Sequence, residues 1–453
     1  MWVKHEMQSL YEIPSFAMMK NLLFLWLTLP IIGFGQSYTS YFTGNTTDVV
    51  SNPGGGVCLM GGASEDNNAM QWFLERADGG DVLVLRASGS DGYNDYLYSE
   101  LGVAVNSVET IKFNSAEASF EPYVLQKIQQ AEAIWFAGGN QWNYVSFWRN
   151  SPVDSLINLA LSERNIVIGG TSAGMAILGG YYFSAQNGTI TSEEALADPY
   201  NDRMAVDGTP FLVNNYLQDV ITDTHFDDPD RKGRLITFLA KIYTDYGVAA
   251  RAIACDEFTA VCIDPEGTAR VFGGHPTYDD NAYFLQVNCE LSSPLPENCT
   301  EGSPLTWHHQ GKAVKVYQVK GTSDGANTLD LNDWNSGTGG SWVDWSVEEG
   351  VFSENAGDPL DCAVHTAEKF LENDFQLFPS VANTSISIVS QNLKLDLKEV
   401  KVLNALGQEI QLKLIHQTQD SLQLEVIDLS PGVYYVQLFS KGKVISVLEF
   451  IKE

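Results

Sequence analysis

The sequence predicts an α/β domain on a doubly wound, mostly parallel sheet with a sharp strand-to-helix elbow, followed by a small C-terminal all-β sandwich. Three observations lead there. From about residue 55, short apolar runs alternate with amphipathic segments, the pattern of βαβ units winding over a parallel sheet. The stretch "IVIGGTSAGMAILGG", residues 166–180, runs an apolar strand into a glycine turn and directly into a helix start. From Phe375 onward the chain breaks into short alternating segments separated by turn residues, as a β-sandwich requires.

The elements of the first domain follow in order. "GVCLMGG" is a strand ending in a glycine turn, and "NNAMQWFLERA" has helical spacing. "DVLVLRAS" and "VNSVETIKF" are strands, "EPYVLQKIQQA" is a helix, and "AIWFAGGNQ" is a further strand with its own glycine turn. "SPVDSLINLALSER" is a helix with a serine cap and a proline in its first turn. The turns after "CLMGG", "WFAGGN" and "VIGGTS" fall on the carboxyl edge of the sheet, where such folds bind ligands. Residues 321–373 are rich in Gly, Asp, Asn, Ser and Trp with little periodicity and read as a poorly packed linker or extension.

The chain has 453 residues and a formal charge of −31. That length suits two to three domains, and such acidity argues against a nucleic-acid partner. Lys20, the apolar run Leu22 to Ile32, and Gly33 and Gly35 before Gln36 read as a signal peptide over residues 1–35. The first 17 residues do not look like part of a signal. Either Met18 or Met19 is the initiator or the n-region is long. Export permits disulfides. "CELSSPLPENC" reads as a loop stapled by Cys289 and Cys299, and Cys255 and Cys262 are either paired across a hairpin or two buried thiols. No CxxC, HExxH or EF-hand pattern is present, so neither a metal nor another cofactor is expected.

Ser172 lies between Gly170 and Gly174, the spacing of a nucleophile elbow, where a strained turn lifts a serine hydroxyl clear of the backbone. The helix that follows turns its amides toward the serine, where an oxyanion can be held. The alternative is a glycine-rich turn without chemistry. A serine nucleophile needs a base and an acid that orients it. Of seven histidines, five fall in the signal, in the C-terminal segments or beyond the cysteine loop, which leaves His225 and His275. His225 follows "YLQDVITDT", expected as another strand of the same sheet, and is preferred on position. His275 lies at an expected surface turn. The acid candidates between serine and histidine are Glu193, Glu194 and Asp198, in a stretch that also reads as a capped helix start with Ser192 as cap.

Together "FAGGNQ", "GGTSAGMAI", "TDTHFDDPDRKGRLITF" and "AIACDEFTAVCI" resemble the cyanophycinase-like serine peptidases, relatives of dipeptidase E, over about residues 55–319. The resemblance implies Ser172 as nucleophile, His225 as base and a glutamate after the elbow as third member, Glu194 before Glu193. It implies an oxyanion site on the N–H of Ala173 and that of Gly138 or Gly139, and a substrate site that includes Gln141, Thr224, Arg231 and Arg234. Two positions depart from the family pattern: Thr224 stands where glutamine is usual, and Pro229 replaces a third arginine. The implied substrate is cyanophycin, an aspartate backbone carrying β-linked arginine, or an aspartyl peptide. The rivals are an α-aspartyl dipeptidase and a non-catalytic binding protein on a decayed hydrolase fold.

"FQLFPSVANTSISI", "VLNALGQEI" and "IDLSPGVYYVQL" resemble the C-terminal sorting domain of type IX secretion substrates, with Ser380-Val381 in place of the usual Asn-Pro. The alternative is an appended carbohydrate-binding sandwich. The resulting plan is signal 1–35, hydrolase 36–320, linker or extension 321–373 and sorting domain 374–453. It implies a secreted or cell-surface protein whose partners are its substrate and the type IX machinery. Self-association as a homodimer is left open.

Overall fold

The computed structural model describes residues 35–209 and 211–360, and most of residues 375–452. The signal peptide expected over residues 1–35 falls outside the described residues but for Gly35. The chain divides into two compact units, residues 1–360 and 361–453.

The first unit is built on two large sheets, with a two-stranded pair of Tyr182–Phe183 and Val206–Asp207 beside them. In the larger, the strands Ser107–Phe113, Asp81–Arg86, Ala133–Phe136, Val167–Thr171 and Val57–Met60 lie side by side and run parallel. Tyr38–Gly44 closes one edge antiparallel, and Ala260–Ile263, Thr268–His275, Asn327–Asp330 and Gly337–Thr338 extend the other. The central strands are apolar on both faces. Leu59, Leu83, Leu85, Ile134, Phe136 and Ile168 enter one core, while Cys58, Met60, Val82, Val84, Trp135 and Val167 enter the other. Strands covered on both faces need continuous apolar runs rather than alternation, which is why "DVLVLR" and "AIWF" are strands. The helices Asn67–Glu75, Pro122–Gln130 and Pro152–Arg164 form where the sequence places them. Ser151 caps the last of these, its hydroxyl accepting from Val153 N at 3.2 Å.

The second sheet runs Val220–Asp223, Arg251–Cys255, Asn281–Val287, Val314–Lys320, Gly340–Glu348 and Val351–Ala356. Its first pair is parallel and the others antiparallel. The long helix Lys232–Tyr246 packs on it through Leu235, Ile236, Phe238 and Leu239. Two sequence expectations change here. The strand before His225 belongs to this second sheet and not to that of Ser172. The region from 321, expected as a poorly packed linker or extension, supplies strands to both sheets and buries Trp334 and Trp345. Its tryptophans and valines pack into cores that local composition does not display.

Among the described residues, the second unit has a four-stranded and a five-stranded sheet. Ile386, Ile388, Leu422, Leu424, Val436 and Leu438 share its core. The strand expected at "LKLDL" lies outside the described residues.

Candidate active site

The elbow forms as its glycines require. Ser172 ends the strand Val167–Thr171 and opens the short helix Ala173–Ala176, with φ +52° and ψ −117°. That is a costly conformation for a residue with a side chain, of the kind held only where the surroundings impose it. Here Ser172 N donates to Met60 O at 3.1 Å, and Ser172 O accepts from Ala176 N at 2.9 Å. A Cβ on Gly174 would sit 2.1 Å from Phe136 O, and one on Gly170 would sit 2.6 Å from the Gly174 carbonyl carbon. Neither position accepts a side chain without moving backbone.

His225 leaves the end of Val220–Asp223 with φ +48°, its N–H donating to Gly61 O at 2.9 Å. Its Nε2 is 2.8 Å from Ser172 Oγ. Its Nδ1 is 2.5 Å from Glu257 Oε1. Gly62 lies against the ring, where a Cβ would meet Nε2 at 2.5 Å. The hydroxyl of Thr222 donates to Met175 O at 2.8 Å, tying the histidine strand to the nucleophile helix across the two sheets.

Glu257 is the residue that the sequence analysis missed, and it replaces Glu194 and Glu193 beside the imidazole. The parallel register of Ala254 with Asp223 brings the residues following both strands to one edge. Glu257 N then donates to Asp227 Oδ1 at 2.9 Å. Glu194 instead closes a capping box with Thr191 at the start of Ser192–Ala197 and pairs with Arg203 at 2.8 Å. Thr191, not Ser192, is the cap. Glu193 is exposed on the same turn, and Asp198 caps the backbone of Tyr200. The signal for Glu257 lay in "CDEFTAV", whose acidic pair follows an apolar strand. Its place after the histidine in the chain kept it from being weighed. His275 is exposed at the end of Thr268–His275.

A cavity over Ser172 is lined by Gln141, Ala173, Phe183, Thr224, Arg231 and Arg234, among others. A larger cleft lies at the opposite ends of the strands, past Val57 and Ile166, and Asp264 is its one charged lining residue. It contains neither the serine nor the histidine. Gly138 approaches the nucleophile, since its Cβ would lie 3.6 Å from Ser172 Cβ, and Tyr144 Oη donates to Gly138 O at 3.0 Å. A Cβ on Gly139 would face Tyr144 Oη and Ser88 Oγ instead.

The two arginines differ. Arg234 is almost fully buried, and its guanidinium forks onto the Asp223 carboxylate, with Nε 2.9 Å from Oδ2. Its charge is already matched, so it holds the floor of the cavity. Arg231 donates through Nη1 to Thr224 O at 2.7 Å, lies 3.9 Å from Asp223, and has no partner for its buried Nε. Burial lowers its pKa to about 10, with Arg234 adding to the shift. Arg231 is the arginine with bonding capacity left for a ligand. Behind Glu257, Asp256 accepts from Asn281 N and Nδ2 at 3.1 and 2.9 Å. Burial raises its pKa to about 7.

The cysteine expectations also change. Cys299 is a free, buried thiol, so the Cys289–Cys299 staple is not made. For Cys255 and Cys262, of the two readings the structure has that of two buried thiols, free and not paired with each other. They sit on separate strands whose side chains enter different cores.

Residues 91–248 match the model of Peptidase family S51, and residues 376–453 match that of the Secretion system C-terminal sorting domain. A cyanophycinase of Synechococcus elongatus is 27% identical over 262 residues, covering 55% of this chain and 76% of that protein. A cyanophycinase of Trichormus variabilis is 24% identical over 214 residues, covering 47% and 63%. Among solved structures, a putative Peptidase E protein from Listeria monocytogenes aligns at 18% identity with a TM-score of 0.31, covering 49% of this chain and 98% of that one.

Proposed function

We propose that this protein, which carries a Peptidase family S51 region and a secretion sorting domain, is an exported serine hydrolase of β-aspartyl (iso)peptide bonds of the cyanophycin type. The observation that carries the reading is the hydrogen-bonded chain Ser172 Oγ, His225 Nε2, His225 Nδ1, Glu257 Oε1. Ser172 attacks the carbonyl while His225 takes its proton at Nε2. Glu257 holds the imidazole with its proton on Nδ1 and stabilises the imidazolium that forms. The oxyanion rests on the N–H of Ala173 and a donor from the Gly138–Gly139 turn, at the start of the helix Ala173–Ala176. His225 returns its proton to the leaving amine, and water then clears the acyl-enzyme by the same path in reverse.

Arg231 selects an aspartyl carboxylate next to the scissile bond through its free guanidinium edge. Gln141, whose Nε2 reaches Phe183 O at 3.4 Å, and Thr224 line the same cavity. The curated relatives named cyanophycinase support the substrate class.

The test is incubation of the purified protein with cyanophycin, β-aspartyl-arginine and α-aspartyl dipeptides, beside a Ser172→Ala control. Release of arginine-containing products from the β-linked substrates, absent in the control, is expected. Cleavage of the α-linked dipeptides alone would make it an α-aspartyl dipeptidase. No turnover of any substrate by a folded protein would return it to the binding-protein reading.

A further inference from the structure

Cys58 and Cys262 face each other in direct register across the antiparallel strands Val57–Met60 and Ala260–Ile263. Their sulfurs are 3.6 Å apart and both residues are fully buried. The neighbouring backbone decides what kind of pair this is. Gly61 N donates to Thr259 O at 2.9 Å, which makes Gly61–Thr259 a hydrogen-bonded position. Such positions alternate with non-hydrogen-bonded ones along an antiparallel ladder. Met60–Ala260 is therefore non-bonded, Leu59–Val261 bonded and Cys58–Cys262 non-bonded. At a non-bonded pair the Cα atoms approach to about 4.5 Å and side chains are closest, inside the span a disulfide tolerates.

These strands also carry the backbone of the site. Met60 O holds Ser172 N, Gly61 O holds His225 N, and Glu257 lies in the turn that leads into Ala260–Ile263. A chain with a secretion sorting domain leaves the reducing cytosol, where thiols are otherwise kept apart.

We propose that Cys58 and Cys262 form a disulfide in the exported protein, stapling the strand behind Ser172 and His225 to the strand that follows Glu257. The reaction partner is a thiol–disulfide oxidase of the cell envelope. One cysteine thiolate attacks the oxidase disulfide, and the second displaces the resulting mixed disulfide. One S–S bond forms in this chain as the oxidase disulfide is reduced to two thiols, which take up the two protons. Burial pushes the Cys262 thiol up and, beside Phe73 and Trp135 in the same core, leaves no route for an oxidase. The bond therefore closes while the strands are pairing, before the core is sealed. The remaining buried thiols do not compete. Cys255 points to Leu59 O at 3.9 Å, and Cys299 lies in the core of the second sheet.

The experiment compares the full chain exported by its host with the same chain made in a reducing cytosol. Each is denatured, alkylated without reductant, digested and mapped by mass. The exported chain is expected to yield the Cys58 peptide linked to the Cys262 peptide, and the cytosolic chain to yield both alkylated. Reductant should also lower the melting temperature of exported wild type by several degrees more than that of a Cys58→Ala, Cys262→Ala variant, the comparison removing any contribution from other bonds. Recovery of Cys58 and Cys262 as alkylated peptides from exported protein, or either one linked to another cysteine, overturns the proposal. Equal shifts in wild type and variant overturn the stapling role.

Discussion

Glu257 Oε1 lies 2.5 Å from His225 Nδ1 although the two residues are thirty-two positions apart, on turns that follow neighbouring parallel strands. In the proposed triad the acid comes after the base in the chain. The glutamates that precede the base serve a helix start instead.

Substitutions should separate these glutamates. Ser172→Ala and His225→Ala should each lower kcat on a β-aspartyl substrate by about 10⁴-fold or more, and the double variant should be little worse. Glu257→Gln keeps the shape but loses the charge that fixes the tautomer, and should cost about 10²-fold or more. Glu194→Gln should leave kcat/KM near wild type and weaken only the helix start, through loss of the charge facing Arg203. Steady-state kinetics on the five variants beside wild type decides it. A silent Glu257→Gln would remove Glu257 from the triad.

The two arginines should fail in different ways. Arg234→Ala leaves Asp223, which is 4% exposed, as a buried charge stripped of its principal partner, and should destabilise the protein by about 3–5 kcal/mol. Arg231→Ala should change stability little and raise KM for substrates bearing the aspartyl carboxylate, by about 2 kcal/mol in kcat/KM. Urea denaturation beside kinetics separates the two. Equal loss of stability in both variants would make Arg231 structural as well.

Stability should depend on pH through Asp256. Its folded pKa of about 7 stands above the ordinary carboxyl value near 4. Between these values the folded protein holds a proton that the unfolded chain has released. Unfolding then sheds a proton, so stability falls as pH rises from about 4 to 7 and levels off above. Asp256→Asn keeps an acceptor for Asn281 without the charge, and should flatten that part of the curve of melting temperature against pH. An unchanged slope would assign the proton elsewhere, Glu132 being another carboxyl raised to about 7 by burial.

Truncation tests the packing of the region from 321. A chain ending at residue 360 should unfold cooperatively by circular dichroism. One ending at 320 should not fold, because Val314–Lys320 loses Gly340–Glu348 as a partner and Tyr283 and Phe226 lose Trp345. Cooperative melting of the shorter chain would make the added strands dispensable.

Much of this protein is written in local pattern. Short, mostly apolar strands of four to seven residues, glycine turns and amphipathic helices set the parallel core, because both faces of those strands are covered and each local choice agrees with the fold. The elbow is legible from its spacing: Gly170 is demanded within the turn by the backbone of Gly174, although what excludes a side chain at Gly174 is Phe136 on the neighbouring strand. Choosing His225 over His275 needed only its place after an apolar strand. What tertiary structure alone decided involves partners distant in sequence. Pairing of Arg251–Cys255 with Val220–Asp223 delivered Glu257 to the imidazole, and the salt bridge to Asp223 separated Arg234 from Arg231. The antiparallel register set Cys58 opposite Cys262. A residue's local sequence states its chemistry and its preferred backbone, whereas strand register and charge pairing are properties of two segments at once, and are settled only when the sheets assemble.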